Sequence, residues 1–269
     1  MKKLIFLFIV FGYVLSAQQT LRAVLIDSIS KQAIEFANIG VLNKGVGTVS
    51  NEKGEFVLTV PDSLTKHVLR ISMIGYKTKN FNVSDLQKLT SVFLSPIAIS
   101  LNEVSVTSKK AKFKIVGNDT RTEHVSAGFT TNNLGTELAV KLNIKHKNTQ
   151  LRKFMVNIIS NDKENPAFRF NVYKVSKNGE PGENILKENV IIHVEQMPCF
   201  IELDLTPFFI YTDEDVYISI EWIKALKNGH KVMFSSKLIG SQTYFKNASQ
   251  DKWEKLPSIG VGLHAEIGY

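Results

Sequence analysis

Histidine and glutamate residues give this chain its first candidates for metal chemistry. A zinc hydrolase typically needs a His-x-x-Glu pair and a distant third ligand, because zinc takes three protein ligands and keeps one position open for water. None of the six histidines is followed by Glu at the third position. The segments HVE (193–195) and HAE (264–266) offer only i, i+2 pairs, which supply at most two ligands from one face of a strand. We therefore predict no metal site.

Three consecutive acids, Asp213, Glu214 and Asp215, precede a strand-like run. A glycosidase needs two carboxyl groups across the scissile bond, and their separation decides the mechanism. We interpret this run as a solvated turn instead. The sequence also lacks the Gly-x-Ser-x-Gly elbow of serine hydrolases and the glycine-rich loops of nucleotide sites. We predict no catalytic residues, no cofactor and no enzymatic activity, with a hydrolase of scattered site residues as an alternative.

Aromatic residues are the remaining candidates, because sugars and peptides both stack on exposed rings. Trp253 lies in the polar stretch SQDKWEK and Tyr244 in SQTYFKN. We predict a surface binding platform formed by Trp253 and Tyr244, against the alternative that these rings cover a sheet edge. Trp222 instead shares a strand face with three apolar residues in VYISIEWI, so we assign it to the core.

Charge and cysteine content exclude two further classes. The formal charge is +8, but the densest basic runs, KKAKFK (109–114) and KHKNTQLRK (145–153), lack the regular aromatic interleaving of single-strand binders. We interpret these runs as a linker or solvated loops and predict no nucleic-acid partner. Cys199 is the only cysteine, so an intrachain disulfide is impossible, and its setting in PCFIELDL predicts a buried small hydrophobe.

The first residues have the pattern of a secretory signal peptide. Lys2 and Lys3 precede an apolar run from Leu4 to Leu15, and small residues follow, ending at Ala17. The run has about 12 residues, whereas a helix that spans a bilayer needs about 20. We expect cleavage after Ala17 and no transmembrane helix in the mature chain. Export to the periplasm, outer membrane or cell surface follows from this expectation.

A period of two dominates the rest of the chain, as in EFVLTV (55–60) and VYISIEWI (216–223), which is typical of half-buried strands. One short helix is predicted over SDLQKL (84–89), with Ser84 as its cap. Many short strands with little helix predict an all-β fold of packed sandwiches.

Composition divides the chain into parts. Residues 18–108 and 124–269 are strand-rich, and the polar, basic segment 109–123 between them reads as a linker. In the first part, Phe56, Leu58 and Val60 should share one strand face, while Gly54 closes the polar turn SNEK in a left-handed conformation. A calcium loop needs more carboxylates than this turn has, so a hairpin is the preferred interpretation.

Three landmarks in the first part carry a family resemblance. They are the polar-Gly-x-Phe hairpin from Asn51 to Phe56, the strand that ends at Gly75 and Tyr76, and the exit LNEVSVT. In this order the segment resembles the carboxypeptidase regulatory-like module of exported Bacteroidota proteins. The resemblance implies a seven-stranded, transthyretin-like sandwich without peptidase activity. The second part more loosely resembles the jelly-roll-like sandwiches attached to such modules.

The same exit, SLNEVSVTSKK, is similar to the segment before the plug of TonB-dependent receptors, where the module is an N-terminal extension. Residues 124–269 are too few for the large barrel of such a receptor. The motifs DSI (27–29) and DSL (62–64) are similar to an O-glycosylation signal of exported Bacteroidota proteins, which marks Ser28 and Ser63.

Together these observations predict an exported, non-enzymatic binding or assembly protein of the periplasm, outer membrane or cell surface. Its partners would be cell-envelope proteins, engaged through loops and sheet edges. A carbohydrate-binding surface protein is the first alternative, which would use Trp253 and Tyr244 on glycans. An accessory of a TonB-dependent receptor is a further alternative, with association with the outer membrane left open.

Overall fold

The structure is a computed structural model that describes residues 18–98, 112–160, 164–224, 226 and 231–269. The predicted signal peptide (1–17) and the predicted strand LNEVSVT (101–107) lie outside the described residues. Within the described ranges, no helix is both long and apolar enough to cross a bilayer.

The first domain, as far as the structure describes it, consists of seven strands in two packed sheets. One sheet has the order β4-β1-β7 and the other the order β3-β2-β5-β6. The strands are β1 (Gln18–Asp27), β2 (Asn38–Val41), β3 (Val46–Val49), β4 (Glu55–Pro61), β5 (Val68–Ser72), β6 (Lys79–Asn82) and β7 (Ser91–Leu94).

Alternation along the strands builds the core of this domain. Phe56, Leu58 and Val60 all point inward from β4, as their spacing predicts, and join the apolar cluster between the two sheets. Gly54 has φ +73° and closes the hairpin turn before β4. The β-sandwich expected for this part of the chain is therefore confirmed.

The short helix α1 (Val83–Leu86) begins one residue earlier than predicted and ends earlier. Asn82 occupies the cap position, and no side chain caps the helix, so the assignment of Ser84 as the cap is wrong. Val83 and Leu86 are both buried. Their burial against the sandwich, rather than a cap, fixes this single turn.

The second domain is a larger sandwich. Within the described residues, one sheet has the path β13-β12-β17-β10-β19-β20, with β14 paired to β12; the other has the path β21-β18-β11-β22-β8, with β15 and β16 on β11 and β9 on β18. The strands are β8 (Phe113–Gly117), β9 (Ser126–Phe129), β10 (Glu137–Leu142), β11 (Thr149–Ile158), β12 (Ala167–Val175), β13 (Pro181–Asn184), β14 (Val190–His193), β15 (Cys199–Asp204), β16 (Tyr211–Thr212), β17 (Val216–Lys224), β18 (Val232–Leu238), β19 (Thr243–Lys246), β20 (Glu254–Leu256), β21 (Ile259–Val261) and β22 (Leu263–Gly268).

Two basic segments differ from their prediction. Phe113–Gly117, which the sequence places in the linker 109–123, forms β8 and pairs with β22. Residues 149–153 of the second basic run belong to β11, the strand between β18 and β22 on the sheet path. In β8, Lys114 lies on the same face as Val116, which packs against the core, and Phe113 and Ile115 lie on the opposite, exposed face.

Both faces of the β12–β17 pair are buried. Phe168 and Phe170 of β12 point into the core, where Trp222 of β17 is fully buried and lies 5.5 Å, between ring centroids, from Phe129. The prediction that Trp222 belongs to the core is confirmed. The opposite face of the same strands carries polar and aromatic side chains, among them Arg169, Tyr173, Tyr217 and Glu221.

The first domain docks on the second through two facing glycines. Gly40 of β2 lies opposite Gly47 of β3, and the carbonyl oxygen of Ser249 lies so close that a Cβ on either glycine would collide with it. The neighbouring Gln250 side-chain amide donates to the Ser72 hydroxyl at 2.7 Å. Glycine at these two positions therefore permits a backbone approach between the domains that no other residue allows.

Arg169 of β12 also joins the two domains. Its guanidinium is 2% exposed and pairs with Glu221 of β17, both Nε and Nη2 lying 2.8 Å from one carboxylate oxygen. The same guanidinium donates across the domain boundary, from Nη1 to the Phe36 carbonyl at 2.7 Å and from Nη2 to Asn38 Oδ1 at 2.9 Å. One buried cation thus satisfies partners in both sandwiches.

We expect Arg169→Met to lower the free energy of unfolding by about 3–5 kcal/mol, because it leaves the Glu221 carboxylate buried without its cation. Chemical denaturation measures this change. The matched control is Lys174→Met, which breaks an exposed pair with Glu183 and should change stability by less than about 1 kcal/mol. The double variant Arg169→Met/Glu221→Met should recover part of the lost free energy of unfolding. If it loses as much as Arg169→Met alone, the role assigned to the Arg169–Glu221 pair is contradicted.

Candidate functional site

The two predicted site residues lie in one aromatic cluster on the outer face of the β12–β17–β10–β19 sheet. Tyr244 is only 7% exposed and meets Tyr217 edge to face, with ring centroids 5.5 Å apart. Trp253 is half-buried and meets Tyr173 in the same way at 5.6 Å. These rings pack on one another and cover the sheet. Binding through them stays a prediction, but Tyr244 does not present an open stacking face.

A buried carboxylate organises the polar part of this outer face. Glu137 accepts hydrogen bonds at Oε1 from the Ser219 hydroxyl, from Tyr173 Oη at 2.8 Å and from Asn171 Nδ2 at 2.9 Å. Its other oxygen, Oε2, lies 2.7 Å from Lys246 Nζ. Each oxygen of this fully buried carboxylate has a partner, as a buried charge requires.

The surroundings of Glu137 control its protonation. Burial would raise the pKa of this carboxyl, but the Lys246 ammonium and the hydroxyls of Ser219 and Tyr173 hold its pKa below the ordinary value. Burial and the adjacent carboxylate in turn raise the pKa of Tyr173 well above its usual range. At neutral pH the network therefore consists of a carboxylate, an ammonium and a neutral phenol.

Lys246 also covers the aromatic cluster. Its Nζ lies 4.2 Å from the Trp253 ring centroid and 5.6 Å from the Tyr173 ring centroid. These distances allow a cation–π contact with both rings. The ammonium thus binds Glu137 on one side and two rings on the other, so this site is already filled by a side chain of the protein.

We expect Lys246→Met to destabilise the protein at pH 7 by about 3 kcal/mol, because Glu137 then keeps a buried charge without its cation. The wild-type contribution of Glu137 is present above its unfolded pKa and is lost as pH falls through the lower folded pKa. In the variant, burial without the ammonium raises that pKa. The deficit should therefore shrink as pH falls from the raised folded pKa of the variant through the lowered folded pKa of the wild type, as followed by denaturation at several pH values.

The control for this prediction is Lys252→Met, which removes an exposed lysine paired with Glu254. This variant should unfold like the wild type at every pH. A Lys246→Met deficit that stays constant from pH 7 to pH 4 would contradict the role assigned to the Glu137–Lys246 pair.

An open cleft of about 960 Å³ lies between segments 183–190 and 207–216. Its floor is apolar. Leu186 and Val190 of the first segment and Ile210 and Val216 of the second form this floor, and all four are buried. Charged side chains surround this floor. They are five carboxylates and two lysines: Glu183, Glu188, Asp213, Glu214, Asp215, Lys174 and Lys187.

Phe209 is the large apolar residue of this cleft that is exposed to solvent. Its side chain is 66% exposed, and its backbone is left-handed, with φ 50° and ψ 47°, directly after the short 3-10 helix Thr206–Phe208. A bulky residue rarely adopts this conformation, and such strain concentrates at binding and switching sites. The fold therefore holds an aromatic ring in solvent beside an apolar floor.

The three consecutive acids have separate structural roles beside this cleft. Asp213 accepts a hydrogen bond from the Asn148 backbone N–H at 2.6 Å. Asp215 accepts one from the Ile144 N–H at 2.9 Å and pairs with Lys141 at 2.9 Å. Burial raises the pKa of Asp215, but Lys141 and that N–H outweigh it and leave its pKa low. The acids tie the turn to its neighbours, and Glu214 stays exposed.

The remaining sequence candidates lie apart. His193 is exposed at the end of β14, whereas His264 is buried in β22, and burial lowers its pKa. Cys199 is free and half-buried, and burial raises the pKa of its thiol. Among the described residues, no three metal-binding side chains come together.

Sequence reasoning missed the cleft and Phe209. The only signal is the segment TPFFIYT, in which two phenylalanines follow a proline between two strands. An apolar pair in such a turn is a candidate for exposure, because turns lie on the surface. The walls of the cleft come from segments that are distant in sequence, so their meeting is a tertiary result.

Together the sheets define a protein of two β-sandwiches, the first of which carries a hairpin closed by Gly54. Residues 23–106 match the family model of the CarboxypepD_reg-like domain. The first domain is therefore a CarboxypepD_reg-like domain, as the resemblance implied. This match covers the first domain alone, and among curated proteins none matches the chain.

Solved structures offer distant likenesses. The cysteine protease and lectin-like domains of Cwp84, a surface layer associated protein of Clostridium difficile, share 10% identity at a TM-score of 0.42, and the likeness covers 86% of this chain and 57% of that one. The T13 particle of infectious bursal disease virus gives 10% identity, a TM-score of 0.32 and coverage of 93% and 61%. The structure of the Gx strain of that virus shares 8% identity at a TM-score of 0.31, and the likeness covers 94% of this chain and 76% of that one. At these identities and TM-scores, the similarities support no conclusion about this chain.

Proposed function

We propose that this protein is an exported, non-enzymatic binding or assembly module of the cell envelope, which holds a protein partner in the cleft beside Phe209. The observation that carries the proposal is the strained, solvent-exposed Phe209 ring at the mouth of an apolar-floored cleft. A CarboxypepD_reg-like domain at the N-terminal side supports the module character. Its sandwich would serve as a rigid spacer or docking unit.

The chemistry of the cleft favours a peptide segment over other occupants. An apolar side chain of a partner can be buried on the floor near Leu186 and Ile210, and its flanking backbone can meet the polar rim. The five carboxylates outnumber the two lysines there, although the whole chain has a formal charge of +8. A partner segment with apolar and basic residues therefore fits the cleft best.

We expect Phe209→Gly to weaken binding of an envelope partner while stability stays within about 1 kcal/mol of wild type, because glycine accepts the left-handed backbone. Tagged wild type and variant are used to capture partners from membranes of the source organism, with mass spectrometry as the readout. The matched control, Leu238→Ser, changes another exposed apolar residue outside the cleft. Equal capture by Phe209→Gly and wild type would remove the cleft from the proposal.

A carbohydrate-binding surface protein is the alternative to this function. The exposed ring of Phe209 is the observation that favours it, because sugars stack on such rings. The same capture experiment, repeated with a soluble glycan competitor, separates the two. Loss of capture on adding glycan supports carbohydrate binding, and Trp253→Ala then tests whether the half-buried indole takes part.

Export is the second component of the proposal. It is supported by the two lysines, the short apolar run and the small residues that end at Ala17. We expect the chain recovered from the cell envelope to lack residues 1–17, because signal peptidase cleaves after such small residues. The intact mass of the native protein measures this. An uncleaved chain confined to the cytoplasm would contradict export.

A further inference from the structure

Among the residues that the structure describes, strand β8 is an edge of the second domain. It ends the path β21-β18-β11-β22-β8, and its one described neighbour is β22. Lys112, next to β8, exchanges both backbone hydrogen bonds with Tyr269, and the Asn118 N–H donates to the Leu263 carbonyl. Antiparallel pairs alternate between bonded and non-bonded positions. The even-numbered residues therefore bond β22, and Phe113 and Ile115 point their N–H and C=O groups outward.

These outward groups are a template for another strand. By this alternation the N–H and C=O groups of Phe113 and Ile115 have no partner in β22, and within the described residues no strand lies on the other side of β8. The two side chains point to the same face of the strand and are 56% and 43% exposed. The Arg152 guanidinium lies 4.8 Å from the Phe113 ring centroid. The edge thus combines unpaired backbone groups with an apolar face, which natural edges usually avoid.

The other face of this edge carries two lysines and, at its far end, Val116, which packs against the core. Lys112 and Lys114 are exposed and form no ion pair with another described residue. Segment 112–117 contains no acid. An incoming strand would therefore place apolar residues beside Phe113 and Ile115, and acidic residues beside the two lysines.

Charge argues against a second copy of the protein as that strand. Two antiparallel β8 strands would bring the Lys112 and Lys114 side chains of both copies onto one face. Like charges on neighbouring strands are destabilising, and the whole chain already has a formal charge of +8. A partner strand with carboxylates gains attraction at the same positions.

The edges at β3, β4 and β20 are less suited to strand addition. The edge strand β4 has β3 alongside it and ends in Pro61, and β20 has only three residues. In the sheet of β2 and β3, Gly47 lies against the second domain. β8 has five residues and an exposed apolar face.

We propose that β8 is a docking edge for an extended segment of a protein partner in which acidic residues alternate with apolar ones. The segment pairs with the outward backbone of Phe113 and Ile115, so that β8 becomes an interior strand. Main-chain hydrogen bonds give the affinity, and the alternation gives the specificity. This surface is separate from the cleft beside Phe209, and it extends the proposed function from one contact to two.

The test uses the full mature chain and a defined probe. The probe is a capped, fluorescent heptapeptide, Thr-Glu-Val-Glu-Val-Glu-Thr, and its counterpart replaces each Glu with Lys. We expect the acidic peptide to bind at least about tenfold more tightly than the basic one at low ionic strength, measured by fluorescence anisotropy. Equal or absent binding of the two peptides would overturn the proposal.

Two variants at one position isolate the backbone contribution. Ile115→Pro removes the outward N–H but spares the bonds to β22, since proline is tolerated where an edge N–H faces solvent. Ile115→Ala removes the same side chain and keeps the N–H. We expect the proline variant to bind the acidic peptide about tenfold more weakly than the alanine variant. Equal binding of the two would refute strand addition.

Amide hydrogen exchange reports the geometry directly. In the free protein the amides of Phe113 and Ile115 should exchange quickly, and those of Lys114 and Val116 slowly. The acidic peptide should slow only the outward pair in wild type. Protection of β8 amides that rises with protein concentration without peptide would identify a second copy as the occupant and overturn the proposal.

Failure at this edge is distinguishable from failure of the cleft. Phe209→Gly should bind the acidic peptide as wild type does, because Phe209 lies outside β8. Ile115→Pro should retain any partner that occupies the cleft. The thermal unfolding curve of Ile115→Pro must match that of Ile115→Ala, which excludes a general loss of structure as the cause.

Discussion

The buried guanidinium of Arg169 is the constraint on which the arrangement of the two domains depends. It lies between the Glu221 carboxylate of its own sandwich and the Phe36 carbonyl and Asn38 amide of the other. A buried ion pair adds little net stability compared with apolar packing, but breaking it is costly. Such a pair therefore selects one docking geometry among many of similar area. The facing glycines Gly40 and Gly47 complete this selection, because only a bare backbone admits the Ser249 carbonyl.

This docking follows from the two-sided burial of one sheet. In β12 and β17, alternate residues fill the core, and the intervening ones form a polar and aromatic layer on the opposite face. Glu137 and Lys246 stand in the middle of that layer. A fully bonded polar layer is rigid, because each member loses a partner if it moves. The first domain and the loop that carries Trp253 rest on this layer.

A rigid sheet of this kind suits the two binding surfaces proposed for this protein, the cleft beside Phe209 and the β8 edge. The cleft with Phe209 lies between segments 183–190 and 207–216, and the β8 edge lies at the end of its sheet. Neither surface requires the rigid sheet to move. The strained backbone of Phe209 is consistent with a rigid second domain, because a strained conformation persists only where the surrounding structure holds it in place.

The sequence by itself determined the all-β class, the alternation of β4, the turn at Gly54 and the burial of Trp222. These features are local, and a period of two together with turn residues is enough to specify them. It also suggested the CarboxypepD_reg-like domain, through landmarks that lie close together in the chain. The start of α1 and the extent of the linker were misplaced, because tertiary packing of Val83 and pairing of β8 with β22 override local propensity.

Only the tertiary structure decided which side chains meet. Tyr244 and Trp253 have polar neighbours in sequence, yet Tyr244 is buried because Tyr217 and the sheet lie against it. The cleft unites segments 183–190 and 207–216, and the β8 edge is defined by a partner strand about 150 residues away. Contacts of this kind depend on how distant strands are ordered in a sheet, and local sequence patterns carry no record of that order.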